Sequence, residues 1–220
     1  MIQRAAVFYK NFSGLKEGIC NNLKTVWQRD LGCEFEEDDW MTIIANAGKY
    51  IKEARGKFTQ YKLIHRFYYT PSKLNRMGLL QDSLCWKCKT ETGTFLHVLW
   101  ECELVHPFWE KIIEYLGKCL DIEIPVSPRL CLLGDQTQLP DVSKYDFAVI
   151  KVGLITAARN ILRLWKSTSS PDPKKWKEDM AQVVSYEHML LRLNNNKDRD
   201  RWKWSWDRYF AYSITRALWL

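Results

Sequence analysis

The chain has 220 residues, 46% of them hydrophobic, with eleven tryptophans, so it carries enough apolar surface to bury a core and is not disordered throughout. Its net charge of +7 is uneven, because residues 49–89 hold ten Lys or Arg against only Glu53 and Asp82. An odd count of seven cysteines and the absence of an apolar leader in MIQRAAVFYK argue against a secreted disulfide scaffold, and no run approaches the roughly 18–20 apolar residues of a membrane span. The expected setting is the cytoplasm or nucleus, where thiols stay reduced.

Helical periodicity dominates. Leu15, Ile19, Leu23, Val26 and Trp27 form a first stripe, and Trp40, Ile43, Ile44, Ala47 and Ile51 a second, opened by Glu36-Glu37-Asp38-Asp39, whose charges suit a helix start. Phe58, Tyr61, Ile64 and Tyr68 predict a third helix that carries Lys62 and Arg66 on another side and stops before a turn at Thr70-Pro71-Ser72.

Val105, Phe108, Trp109, Ile112, Leu116 and Leu120 predict a core-packed helix with Pro107 in its first turn. Residues 122–143, interrupted by Pro125, Pro128 and Pro140, read as a linker. Ser143 then caps a long stripe of Phe147, Ile150, Leu154, Ala157, Ala158, Ile161 and Trp165. Asp172 and Pro173 start another helix through Trp176, Met180, Val183, Val184 and Leu190, which Asn194-Asn195-Asn196 should end. In the tail, Trp202, Trp206, Tyr209, Phe210, Ile214, Ala217 and Leu218 share a helical face that suits either the chain's own core or a protein partner docking on residues 202–220.

The fold expected is mainly α, an irregular helical array with a small CCHC zinc-knuckle-like insertion. Its regions are 1–56 (N-terminal helices), 57–121 (basic helix and cysteine-rich module), 122–143 (linker) and 144–220 (C-terminal helices).

The insertion is the pattern C-x2-C-x8-H-x4-C at Cys85, Cys88, His97 and Cys102. A C-x2-C turn delivers two sulfurs to one metal, and zinc takes four N/S ligands in a tetrahedron. Four protein ligands with no open position make a structural site rather than a catalytic one, here for one zinc ion. In a straight helix His97 and Cys102 would lie about 140° apart, so the backbone must bend between them. His106, four residues after Cys102, is the reserve ligand. The other reading is that the cysteines are small buried apolar residues and His97 a satisfied core histidine. Cys20, Cys33, Cys119 and Cys131 lack such partners and are expected in the core.

These residues, with the stretch Tyr61-Lys62-Leu63-Ile64-His65-Arg66-Phe67-Tyr68-Tyr69-Thr70-Pro71, Gly93-Thr94, Trp100 and Phe108-Trp109, resemble the cysteine-rich C-terminal segment of the reverse-transcriptase polyprotein of vertebrate long interspersed (non-LTR) retrotransposons. The likeness continues through Ile122-Glu123-Ile124-Pro125, Leu132-Leu133-Gly134, Ala157-Ala158-Arg159 and Trp165-Lys166, and so covers roughly residues 27–176. It implies a zinc-binding, RNA-binding module that supports target-primed reverse transcription by an attached polymerase. The Tyr/Phe-Ala-Asp-Asp motif of such a polymerase is missing, and Pro171-Asp172 fits a helix cap better than an endonuclease motif, so the chain is expected to be non-catalytic.

The functional expectation is therefore a segment that binds RNA or another single-stranded nucleic acid, because each neutralised phosphate releases counterions and raises affinity. Lys57, Lys62, Arg66, Lys73, Arg76, Lys87 and Lys89 would contact phosphates and Trp86 would stack on a base. A helical protein-interaction scaffold, and a truncated remnant with no selected function, are the alternatives.

Overall fold

The structure, a computed structural model, describes residues 17–193 and 199–216. The described residues are mainly helical, as expected, and outside the helices hold one isolated antiparallel bridge between Leu84 and Thr92. The chain divides into two compact units, Met1–Met41 and Thr42–Leu220.

The first unit is built on helix α1 (Glu17–Leu31) and the start of α2 (Glu37–Ala45). Gly32, at φ 62°, ends α1 by letting the Cys33 N–H fold back onto the Gln28 carbonyl at 3.2 Å, the closing bond of a left-handed cap. Glu37, Asp38 and Asp39 occupy the first turn of α2, as their charge demands, and Phe35 packs on Trp40 with ring centroids 5.5 Å apart. Leu15 of the first predicted stripe lies outside the described residues.

The second predicted helix was expected to reach Ile51, yet α2 stops at Ala45 and turns follow. The carbonyl of Asn46 accepts from the ammonium of buried Lys151 at 2.7 Å instead of continuing a helical ladder.

The second unit contains α3 (Ala54–Ile64), α4 (Pro71–Arg76), α5 (His106–Leu120), α6 (Lys144–Arg163), α7 (Pro173–Leu193) and α8 (Arg199–Arg216). At its centre is α6, buried on nearly every side from Tyr145 to Ile161 and packed by α3, α5, α7 and α8, which is why its sequence is apolar almost all round. Its N-terminus is the one predicted, with Ser143 Oγ accepting from the Asp146 N–H at 3.1 Å. The start of α7 is also as expected: Asp172 Oδ1 accepts from the Lys174 N–H at 2.9 Å with Pro173 in the first turn. Trp176 ties α7 to α6 by donating to the Gly153 carbonyl at 2.9 Å.

Three further expectations need correction. First, the stretch 122–143 is not a loose linker: Leu130, Cys131, Leu132 and Leu133 are buried in a π-helical turn, Arg129–Leu133, that packs on α3 and α6. Its backbone is secured by Gln60 Nε2, which donates to the Leu132 carbonyl at 3.0 Å, and by the Arg129–Asp135 ion pair.

Second, α3 ends at Ile64, one turn early. Arg66 adopts φ 55°, its N–H and that of Phe67 fold back onto the carbonyls of Leu63 and Lys62, and the chain leaves the helix axis there. Third, Thr70-Pro71-Ser72 is a helix start rather than a turn, with Thr70 Oγ1 capping the Lys73 N–H of α4 at 3.2 Å.

The tail helix settles on the chain's own core. Trp206 and Tyr209 are buried, and α8 packs against α5, while Arg208 pairs with Asp146 of α6. Residues 217–220, the side chains of Trp202 and Ile214, and the predicted helix end at Asn194-Asn195-Asn196 lie outside the described residues. No described helix is long and apolar enough to cross a membrane.

Burial also places Glu187 of α7 in the interior, where desolvation pushes its carboxyl up to about 7 against the opposing pull of Lys52 and Lys57. The folded chain thus binds this proton more tightly than the unfolded one, so the stabilisation is full below about pH 4.5 and is lost as pH rises through about 7. In thermal melts Glu187→Gln should be more stable than the wild type at pH 8, by about 1–3 kcal/mol more than at pH 4.5.

Candidate metal centre and the basic aromatic face

The two thiols of the C-x2-C turn are set by a short hairpin. The Gly93 N–H donates to the Ser83 carbonyl at 2.7 Å and the Cys85 N–H to the Glu91 carbonyl at 2.8 Å, closing the ends of the loop. Inside it the Lys89 N–H returns to the Cys85 carbonyl at 3.1 Å, with Lys89 itself at φ 63°, so the chain reverses tightly and brings Cys88 back toward Cys85. Gly93 is needed where it is: a Cβ there would lie 2.5 Å from Cγ of Pro71, and the Gly93 carbonyl accepts from the Ser72 N–H at 3.2 Å. The hairpin and α4 are thereby locked together.

The other two ligands come from the segment that follows. Thr94 Oγ1 caps the His97 N–H at 3.0 Å and starts a helical turn. From His97 to Glu101 that turn is π-helical: the Cys102 N–H donates to the His97 carbonyl, five residues back, at 2.9 Å. A closed i to i+5 turn carries residues five apart onto one face, where an α-helix would separate them by about 140°. The required bend between His97 and Cys102 is this turn. The Leu99 carbonyl within it is satisfied by Trp109 Nε1 of α5 at 2.8 Å.

The result is a cluster in which the Cys85, Cys88 and Cys102 sulfurs and a His97 ring nitrogen all lie within 4.8 Å of one another, an arrangement that can hold a metal ion. Cys85 Sγ is 4.0 Å from Cys102 Sγ, and Cys88 Sγ is 3.4 Å from His97 Nε2. Cys85, His97 and Cys102 are buried and Cys88 is half-buried. Of the two candidate histidines only His97 joins the cluster, since His106 stands edge-on to Trp100 and 3.8 Å from Glu110.

The environments of Cys88 and Cys102 act on their thiols in opposite directions. Burial and the neighbouring Cys85 and Cys88 push the Cys102 thiol up to about 12. At Cys88 burial opposes ionisation too, but hydrogen bonds from the Thr90 side chain, the Glu91 and Thr90 backbone and His97 outweigh it and bring the thiol down to about 6.

The remaining cysteines are mostly as expected: Cys119 and Cys131 are buried, whereas Cys33 is only half-buried. The side chain of Cys20 lies outside the described residues.

Beside the cluster lies a face on which cations cover aromatic rings. Lys62 Nζ sits 4.2 Å from the Phe58 ring centroid and 5.8 Å from that of Tyr68, Arg66 lies 4.4 Å over Phe95, and Lys73 Nζ is 4.7 Å over Tyr69. Phe58 is 58% exposed, Phe67 56% and Tyr69 52%. Phe58 was expected on a different side of the helix from Lys62, and this is corrected: Gly56, Thr59, Gln60, Leu63 and Ile64 face the core, and Phe58 shares the outer face with Lys62 four residues on. Lys57, Arg76 and Lys89 are exposed.

Lys87 does not belong with them. It is 3% exposed, and its ammonium donates to the carbonyls of Leu164, Ser167 and Ser169. Desolvation lowers its pKa, against the favourable charges of Cys85 and Cys102. A lysine committed to three carbonyls cannot also serve a phosphate, so this expectation is corrected. Trp86 is half-buried against Trp165, the last residue of the stripe behind Ser143, which lies just past the end of α6 at Arg163.

No model of a known protein family matches the chain.

Gly93→Ala forces the new methyl into the Pro71 ring, which has no flexible end to move aside. Thermal or urea unfolding should show a loss of about 1–3 kcal/mol.

Proposed function

We propose that the chain is a non-catalytic module that holds one structural zinc ion and binds single-stranded or structured RNA, and that it derives from the C-terminal segment of a retrotransposon reverse-transcriptase polyprotein. The observation that carries the reading is the row of solvent-facing rings paired with cations, Phe58 with Lys62 and Tyr69 with Lys73, set next to the metal cluster. Rings stack on bases of any sequence while cations follow the phosphates, so affinity for single strands comes with low specificity.

Zinc is favoured by the donor set, three thiolates and an imidazole, which suits a four-coordinate ion with no redox demand. A tetrahedron with Zn–S near 2.3 Å and Zn–N near 2.0 Å has S···S edges of about 3.8 Å and S···N edges of about 3.5 Å. The distances of 4.0 Å and 3.4 Å lie close to these. Such an ion would staple the hairpin to the His97–Glu101 turn, and no residue here is left to activate a substrate.

The retrotransposon origin rests on the residue likeness already described. A protein-interaction scaffold is the second reading, favoured by Trp204, which stays 58% exposed on α8 under Arg208 while Ser205 and Trp206 enter the core.

Arg66, half-buried with its guanidinium over the buried Phe95 ring, is set aside as a phosphate contact, which leaves Lys57, Lys62, Lys73, Arg76 and Lys89 for this reading. If each neutralises one phosphate of a single strand, log affinity should fall against log salt with a slope of about −3.5. Lys62→Glu with Lys73→Glu should weaken binding of a labelled RNA oligonucleotide and bring the slope to about −2. An unchanged affinity in that double variant, or no salt dependence in the wild type, would contradict the RNA reading.

A further inference from the structure

Lys87 stands between the two cysteines of the C-x2-C turn, yet its side chain reaches across to another element. The three carbonyls it meets, Leu164 at 2.5 Å, Ser167 at 3.2 Å and Ser169 at 3.4 Å, belong to the C-terminal cap of α6 and the loop beyond it. Carbonyls at a helix C-terminus lack N–H partners within the helix, and a cation there satisfies both their hydrogen bonding and their partial negative charge.

Trp165 sits inside this grip. Its Nε1 donates to the Tyr69 carbonyl at 2.7 Å, and its ring lies 5.3 Å from Tyr68 and 6.0 Å from Trp86, the latter at 66°. Trp86 directly precedes Lys87, so one dipeptide of the hairpin supplies both the ring beside Trp165 and the ammonium that fixes the backbone around it. Tyr68 in turn lies under Lys62, which makes the three rings a continuation of the basic aromatic face.

We propose that Tyr68, Trp86 and Trp165 form a stacking site for unpaired bases of single-stranded RNA, and that Lys87 is the positioning residue through which the metal cluster holds that site together. Cys85 and Cys88 fix the turn that carries Lys87, and Lys87 fixes residues 164–169. Loss of the metal should therefore loosen a segment far from the ligands in sequence. This rests on the RNA reading for its ligand, but the link from hairpin to α6 does not.

The test uses the full chain as wild type, Lys87→Met, Lys87→Arg and Trp165→Ala, each checked for bound metal by native mass spectrometry. Amide exchange over residues 164–170 and binding of a fluorescein-labelled twelve-residue oligouridylate are then measured with and without a chelator. In the wild type, chelation should speed exchange at 164–170 and weaken binding. Metal-loaded Lys87→Met should already exchange fast there, keep wild-type protection in the middle of α6, and bind the oligonucleotide about ten-fold more weakly, with little further loss on chelation. Lys87→Arg, which keeps donors at that place, should recover part of both. Trp165→Ala should lose about ten-fold in binding with its metal retained. Wild-type protection at 164–170 in metal-loaded Lys87→Met would overturn the positioning role, and undiminished binding by Trp165→Ala would overturn the stacking site. A wild type that binds no RNA would sink the RNA reading and the stacking site with it, while the exchange data would decide the Lys87 link by themselves.

Discussion

Cys102 follows His97 by five positions, and the local structure of the second unit turns on how that interval is spanned. An α-helix would point the two side chains apart, whereas a turn closed by the Cys102 N–H on the His97 carbonyl points them together. Such a turn is rare by itself, and it is held at its entrance and from within. Thr94 caps its entrance and Trp109 takes up the Leu99 carbonyl. Once the turn exists, the hairpin thiols have two further donors to meet.

From the cluster, contacts lead outward in two directions. Gly93 against Pro71 joins the hairpin to α4, whose Lys73 covers Tyr69. Lys87 joins it to the end of α6, the helix around which the second unit is packed. A metal ion, in the reading proposed here, would thus bear on a surface of rings and cations without touching any of them.

Much of the helical framework was legible in the sequence because its signals are local. Ser143, and Asp172 with Pro173, cap helices where periodicity begins, and the four residues that cluster are those of the C-x2-C-x8-H-x4-C pattern. What was not legible follows physical lines. Leu130, Cys131, Leu132 and Leu133 lie consecutively in a π-helical turn, where no 3.6-residue period exists to mark them as core. The early end of α3 depends on Arg66 taking a left-handed conformation that usually announces itself by glycine. Phe58 reads as lying on a different side of its helix from Lys62 until the two are seen together on the outer face. Lys87 counts as one more charge in a basic stretch until its ammonium is found among carbonyls. Charge tallies register a lysine's presence but not its direction.

The central claim is that the His97–Glu101 turn and the C-x2-C hairpin converge on one metal ion, and native mass spectrometry of the purified chain tests it most directly. The account predicts one zinc per chain in the wild type and in His106→Ala, and none in Cys102→Ser or Cys88→Ser. A wild type that carries no metal after purification with zinc present, or a Cys102→Ser chain that keeps it, would contradict the account.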